Sequence, residues 1–90
     1  MEFEWDEAKR LSNIDKHWID FLDARRLFDG RPVFRTISAY RGEERYLTVG
    51  FLGGQFVTAV WTRRNGTIRF ISVRHARRNE IASILATHEY

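Results

Sequence analysis

The chain contains no cysteine, which excludes disulfides, thiolate zinc sites and a cysteine nucleophile. No apolar run approaches the roughly 18–20 residues of a membrane span. The opening "MEFEWDEAKR" is acidic and amphipathic, unlike a signal peptide. A cytoplasmic protein that does not enter membranes is the expectation. Three histidines, His17, His75 and His88, are scattered without the spacing of metal ligands, so neither a metal nor another cofactor is expected. Lysine is scarce: of 15 basic residues, only Lys9 and Lys16 are not arginine. There is no internal repeat, low-complexity segment or linker.

What is present describes one folded domain over residues 1–90. A chain this short buries only about 60–65% of its unfolded surface. Its 30% charged and 43% hydrophobic content is that of an ordered protein. Arginine offers a planar fork of donors suited to phosphate and never loses its charge. With a net charge of +3 and a pI near 9.8, this fits an anionic partner such as nucleic acid. A GC-rich genome produces the same arginine bias.

Two tight-turn signals, Gly53-Gly54 and Asn65-Gly66, lie between runs of β-branched and aromatic residues. Two-residue loops of this kind set hairpin register, because their twist matches that of the flanking strands. Counting outward from Asn65-Gly66 pairs Arg64 with Thr67, Thr62 with Arg69, Val60 with Ile71 and Thr58 with Val73. Counting from Gly53-Gly54 pairs Phe51 with Phe56, Val49 with Thr58, Leu47 with Val60, Arg45 with Thr62 and Glu43 with Arg64. Side chains alternate with period two, so these residues share one face. That face is apolar along most of its length and charged at one end, where Glu43, Arg45, Arg64 and Arg69 surround Thr62. The opposite face carries the row Tyr46, Trp61 and Phe70, expected to pack beneath the C-terminal helix, with Val57 beside Arg74.

The remaining elements follow from caps and periodicity. Phe3 and Trp5 alternate with acidic residues and could form a short strand. Asp6 is a candidate N-cap for a helix to about His17, with Ala8, Leu11 and Ile14 on one face. Asp20 and Asp23 open a second helix with an apolar stripe of Phe21, Ala24, Leu27 and Phe28, ended by Gly30 and Pro32. Strands follow over Val33 to Ala39, Glu43 to Phe51 and the two hairpin partners. A C-terminal helix runs from about Ala76 to Thr87, with Ile81, Ile84 and Leu85 on one face. The fold class is α+β: two N-terminal helices, a four-stranded antiparallel meander and a C-terminal helix.

The blocks "FEWDEAKRLSNIDKH", "GEERYLTVG" and "WTRRNGTIRFISVRHARRNE" resemble the BrnT toxins of bacterial type II toxin–antitoxin systems over nearly the whole chain. The first carries F-x-W-D and N-x-x-K-H, the last T-x-R-x-x-x-x-R-x-I-S-x-R-x-A. Many BrnT members have Gly-Val where this chain has Trp18 and Ile19, and Asp-Pro where Asp29 is followed by Gly30. The resemblance implies a RelE-like ribonuclease that inhibits translation. It also implies a BrnA-like ribbon-helix-helix antitoxin, with operator DNA bound only through that antitoxin.

Metal-independent RNA cleavage needs a base for the 2′-hydroxyl, cations around the phosphorane and an acid for the leaving oxygen. Arg45, Arg64 and Arg69 are candidates for holding phosphate oxygens, and Glu43 for the base. The competing reading makes Glu43–Arg64 a surface ion pair worth about 0–1 kcal/mol. His17 is the other candidate for proton transfer, with Lys16 beside it to contact RNA. A basic C-terminal helix cap explains the same pair. Arg74 and Arg77, near the start of the last helix, suit RNA phosphate, a solvated face or an acidic partner. Trp18 follows His17 in a turn, where it could stack on a base or be buried by the antitoxin. Two other classes fit the residues: a nucleic-acid binder without catalysis, and an antitoxin-binding module with neither.

Overall fold

The computed structural model describes residues 1–89. Asp6 and Asp20, both in extended backbone, accept hydrogen bonds from the first free amides of two helices, as N-caps do. The elements are β1 (Phe3–Glu4), α1 (Glu7–His17), α2 (Phe21–Ala24), a 3₁₀ turn (Arg25–Phe28), β2 (Val33–Tyr40), β3 (Glu43–Leu52), β4 (Gln55–Arg64), β5 (Thr67–His75) and α3 (Arg78–Thr87). The sheet order is β1-β5-β4-β3-β2. The α+β class holds, with two corrections. The sheet has five strands and is mixed, because β1 pairs in parallel with β5 through Phe3–Ile68 and Glu4–Arg69. The second helix is a single α turn that tightens into the 3₁₀ turn.

Both hairpin turns form where expected. Asn65, Gly66, Gly53 and Gly54 all take positive φ, the backbone that type I′ loops demand. The β3–β4 register matches the count from Gly53-Gly54 as far as Leu47–Val60. In β4–β5 the count holds for Arg64–Thr67 and Thr62–Arg69, and then fails at a bulge between Val60 and Trp61. Ile71 is the extra residue, so Val60 faces Ser72, Ala59 faces Val73, Thr58 faces Arg74 and Val57 faces His75. The expected pairs Val60–Ile71 and Thr58–Val73 do not form. One inserted residue reverses the facing of every residue beyond it.

That reversal is what fills the core. Val73 joins Ile19, Phe21, Ala24, Leu27, Leu52, Val57, Ala59, Trp61, Ile68 and Phe70 in one buried cluster. The Tyr46–Trp61–Phe70 row lies beneath the N-terminal segments, and the C-terminal helix is elsewhere. Phe28 meets Trp61 edge-on at 5.3 Å, Phe21 and Phe70 are 5.8 Å apart, and Phe3 stacks on Phe70 at 5.6 Å. The α3 helix is tied to the other side of the sheet through Glu80, which binds Thr58 and Arg74. In α3, Ile84 is buried and Leu85 is exposed. In α1 the fully buried residue is Asn13, while Leu11 is exposed.

Candidate active site

The β3–β4 ladder runs from Leu52–Gln55 to Tyr46–Trp61 and goes no further. The expected cross-strand pairs Arg45–Thr62 and Glu43–Arg64 therefore lie beyond its end. There the Thr62 hydroxyl donates to the carbonyl of Glu44 at 3.1 Å. The two strand ends form a fork that encloses a shallow opening of about 270 Å³ lined by Glu43, Glu44, Tyr46, Thr62, Arg63 and Arg64. Glu43 and Arg64 thus share one opening without a direct ion pair.

The other arginines of the expected cluster are engaged beside it. Arg45 approaches the Glu43 carboxylate at 4.0 Å, and its guanidinium lies 4.4 Å above the Tyr40 ring. Its Nε is buried with no hydrogen-bond partner among the described residues. Arg69 sits opposite Thr62 in the ladder and pairs with Glu4 of β1 at 3.3 Å. Arg64 is exposed and has no carboxylate partner among the described residues. Tyr46 stacks on Trp61 at 4.5 Å and donates to Glu44 at 3.2 Å. Sequence reasoning missed Glu44, Tyr46 and Arg63 as lining residues. Glu44 and Arg63 were signalled only by adjacency to Glu43 and Arg64 at a strand end, and Tyr46 by nothing, because it belongs to the aromatic row stacked on Trp61.

Lys16 and His17 belong to a different groove. They line an opening of about 270 Å³ with Lys9, Ser12, Asn13, Ile71 and Ser72. Both lysines of the chain face this groove, at the β5 bulge, and the His17 side chain is half-buried.

Arg74 is bound to Glu80 through two parallel hydrogen bonds of 2.8 and 2.9 Å. Glu80 also accepts from the Thr58 hydroxyl at 2.9 Å and from the Arg77 amide at 2.8 Å. These donors, Arg74 foremost, hold the Glu80 carboxyl down at about 2 despite its partial burial. Arg77 is the N-cap residue of α3 and its side chain is exposed. His75 ends β5, and His88 caps α3 with its Nε2 at 2.8 Å from the carbonyl oxygen of Val33. Among the described residues, no group of three or more His, Asp or Glu side chains is arranged to hold a metal ion. Among the same residues, no helix is long and apolar enough to cross a membrane.

The chain is thus a small α+β protein whose mixed sheet ends in a fork of arginine and carboxylate. It belongs to the BrnT family: residues 5–80 match the family described as the ribonuclease toxin, BrnT, of type II toxin–antitoxin systems. No curated protein is significantly similar to it. Membership brings an RNA substrate and an antitoxin partner. The N-terminal motif residues now have structural places: Phe3 and Trp5 pack against the core, Asp6 caps α1 and Asn13 is buried against β5.

Proposed function

We propose that this chain is an endoribonuclease that cuts RNA without a metal at the β3–β4 fork and thereby inhibits translation. Glu43 takes the proton of the ribose 2′-hydroxyl. The 2′-oxygen attacks phosphorus, the bond to the 5′-oxygen breaks, and the products are a 2′,3′-cyclic phosphate and a 5′-hydroxyl. Arg64 donates to the non-bridging oxygens as negative charge builds on them, where a charge-assisted donor is worth most. Arg45 and Arg69 flank the phosphate as fixed positive charges. Lys16 and His17 line a separate groove at the β5 bulge, so they are left to contact the RNA backbone outside the fork, and the leaving 5′-oxygen takes its proton from water. Arg77, exposed at the start of α3, contacts phosphate further along, and Arg74 acts chiefly through Glu80.

The observation that carries this reading is a contrast among the arginines. Arg69 and Arg74 each have a carboxylate in the fold. Arg64 has none among the described residues, yet shares its opening with Glu43. An exposed guanidinium beside a carboxylate, with no ion-pairing role in the fold, suits binding to an external phosphate.

The same reading makes the fold RelE-like and the protein a single domain in the cytoplasm. Its antitoxin is BrnA-like, with a ribbon-helix-helix region that alone contacts operator DNA. The test is induced expression of the parent chain beside Arg64→Ala in a bacterium, following growth, protein synthesis and RNA integrity together. Growth arrest with RNA breakdown in the parent alone is expected, both proteins being soluble. Arrest without RNA breakdown would overturn the assignment.

A further inference from the structure

Trp18 combines two features that no contact within the fold explains. It takes φ 61° and ψ 29° at the C-terminus of α1, left-handed backbone that suits glycine and strains a residue with a Cβ. Its ring is 88% exposed, and among the described residues it stacks on no other aromatic. A tryptophan held in strained backbone and left in water gains nothing from the fold.

Its surroundings form a strip. Trp18 borders an opening of about 180 Å³ lined also by Ile19, Asp23, Arg26, Leu52 and Val57. Asp23 and Arg26 then border a second opening of about 370 Å³, which reaches Leu22 and the exposed Met1. The carboxylates along the strip are already paired, Asp23 with Arg26 at 3.3 Å and Asp29 with Arg31 at 2.8 Å. Arg25 has no carboxylate among the described residues, and its Nε donates to the Leu22 carbonyl. An apolar anchor at one end of this strip and an uncompensated cation further along it, on a chain of net charge +3, call for an apolar slot with an acidic side chain in reach.

We propose that Trp18 anchors the antitoxin, inserting into an apolar slot on that protein while an acidic residue within reach of the slot meets Arg25. The proposal rests on family membership for the existence of a protein antitoxin. The position favours protein over RNA. Trp18 lies beside Gly53, at the turn end of the β3–β4 hairpin, whereas the fork is at the other end of the ten-residue β3. At about 3.3 Å per residue that separation is roughly 30 Å. Tryptophan is also enriched among the hot spots of protein interfaces.

The test is titration of the antitoxin encoded beside this chain's gene into the purified parent and into Trp18→Gly. Because glycine suits the left-handed backbone, the variant should keep or raise the parent's melting temperature and cleave RNA at the parent's rate. Its dissociation constant should rise by at least about 30-fold, as expected for loss of a hot-spot anchor. A change of less than about threefold, with the parent binding tightly, would overturn the proposal and leave the ribonuclease reading intact. Concentration-dependent self-association of the parent that shields Trp18 from acrylamide quenching would assign the strip to a second copy and overturn it as well. No antitoxin binding by the folded parent would defeat the proposal through its premise, with RNA cleavage still scored separately.

Discussion

The side-chain amide of Asn13 lies against the backbone of Val73, donating to its carbonyl at 2.8 Å and accepting from its N–H at 3.0 Å. The same amide donates to the Ile19 carbonyl at 2.9 Å. The β1 strand pairs with β5 only at Ile68 and Arg69, so the edge at Val73 would otherwise carry unpaired buried groups. Asn13 supplies both missing bonds, as one residue of a neighbouring strand would. Asn13→Ala should therefore cost about 2–4 kcal/mol, because three buried backbone groups lose their partner at once. Asn13→Asp should be about as harmful, since an ionised carboxylate cannot donate to two carbonyls. Urea unfolding of the three proteins checks both.

Glu80 gives the chain an acid-sensitive joint. Its carboxyl is depressed from 4.5 to about 2, chiefly by Arg74. A group depressed on folding stabilises the native state above its unfolded value, and that stability is lost as pH falls through the folded value. The contribution should be whole above about pH 5 and drain away toward pH 2. It amounts to about 2–3 kcal/mol. Glu80→Gln should lose that much at pH 7, and its stability should fall less steeply than the parent's between pH 5 and 2. Denaturant titrations across that range measure the difference between the two slopes.

Gly50 is buried on β3, and a Cβ added there would meet Leu27 Cδ2 at 2.6 Å and Val33 Cγ1 at 3.2 Å. Leu27 is itself buried in the 3₁₀ turn and has little room to withdraw. Gly50→Ala should destabilise the fold by about 1–3 kcal/mol, the cost of overpacking. Adding Leu27→Ala to it should recover part of the clash while opening a cavity. In a double-mutant cycle the pair should cost less than the sum of the two single substitutions, because removing the Leu27 side chain relieves the clash.

Two carboxylates near the fork should behave differently. Glu43→Gln should lower RNA cleavage by about 10²–10⁴-fold, the range for loss of a general base. Glu4→Ala removes the partner of Arg69 but nothing from the opening, and a partly exposed pair is worth about 0–1 kcal/mol. Its cleavage rate should stay within a few-fold of the parent's. Single-turnover cleavage of one RNA by folded, purified proteins separates the two. Equal losses would remove Glu43 from the chemistry.

Local chemistry made much of this fold readable. Asp6 and Asp20 cap helices as their positions announce, and the stripe of Phe21, Ala24 and Leu27 is buried. Asn65-Gly66 and Gly53-Gly54 set their hairpins. The misses arise where a tertiary contact outweighed a local pattern. Nothing in the alternation of β5 marks Ile71 as an insertion, because Phe70, Ile71 and Val73 would fit either face. The apolar spacing of α1 points to Leu11, yet the residue the core takes in is Asn13, drawn by the bare edge of β5. The alternation at Phe3 and Trp5 points to the short strand β1, but not to its parallel pairing with β5, whose residues lie more than sixty positions away. At the fork, the turns brought Glu43 and Arg64 to one opening, while beside it Arg69 is paired with Glu4 and Arg45 lies against Tyr40 and the Glu43 carboxylate.

The bulge at Ile71 also bears on how this chain can change its length over evolutionary time. A residue lost or gained at the Arg41–Gly42 turn alters only the tip of a loop. Deletion of Ile71 would restore strict alternation to β5 and turn Val73 out of the core. It would also point Arg74 away from Glu80 and turn the Val73 N–H and carbonyl away from the edge where Asn13 meets them. Three contacts depend on one unpaired residue, so an insertion or deletion here acts as several simultaneous core substitutions. Length variation should accumulate in the loops, while β5 keeps a fixed count of residues from Asn65 to the start of α3.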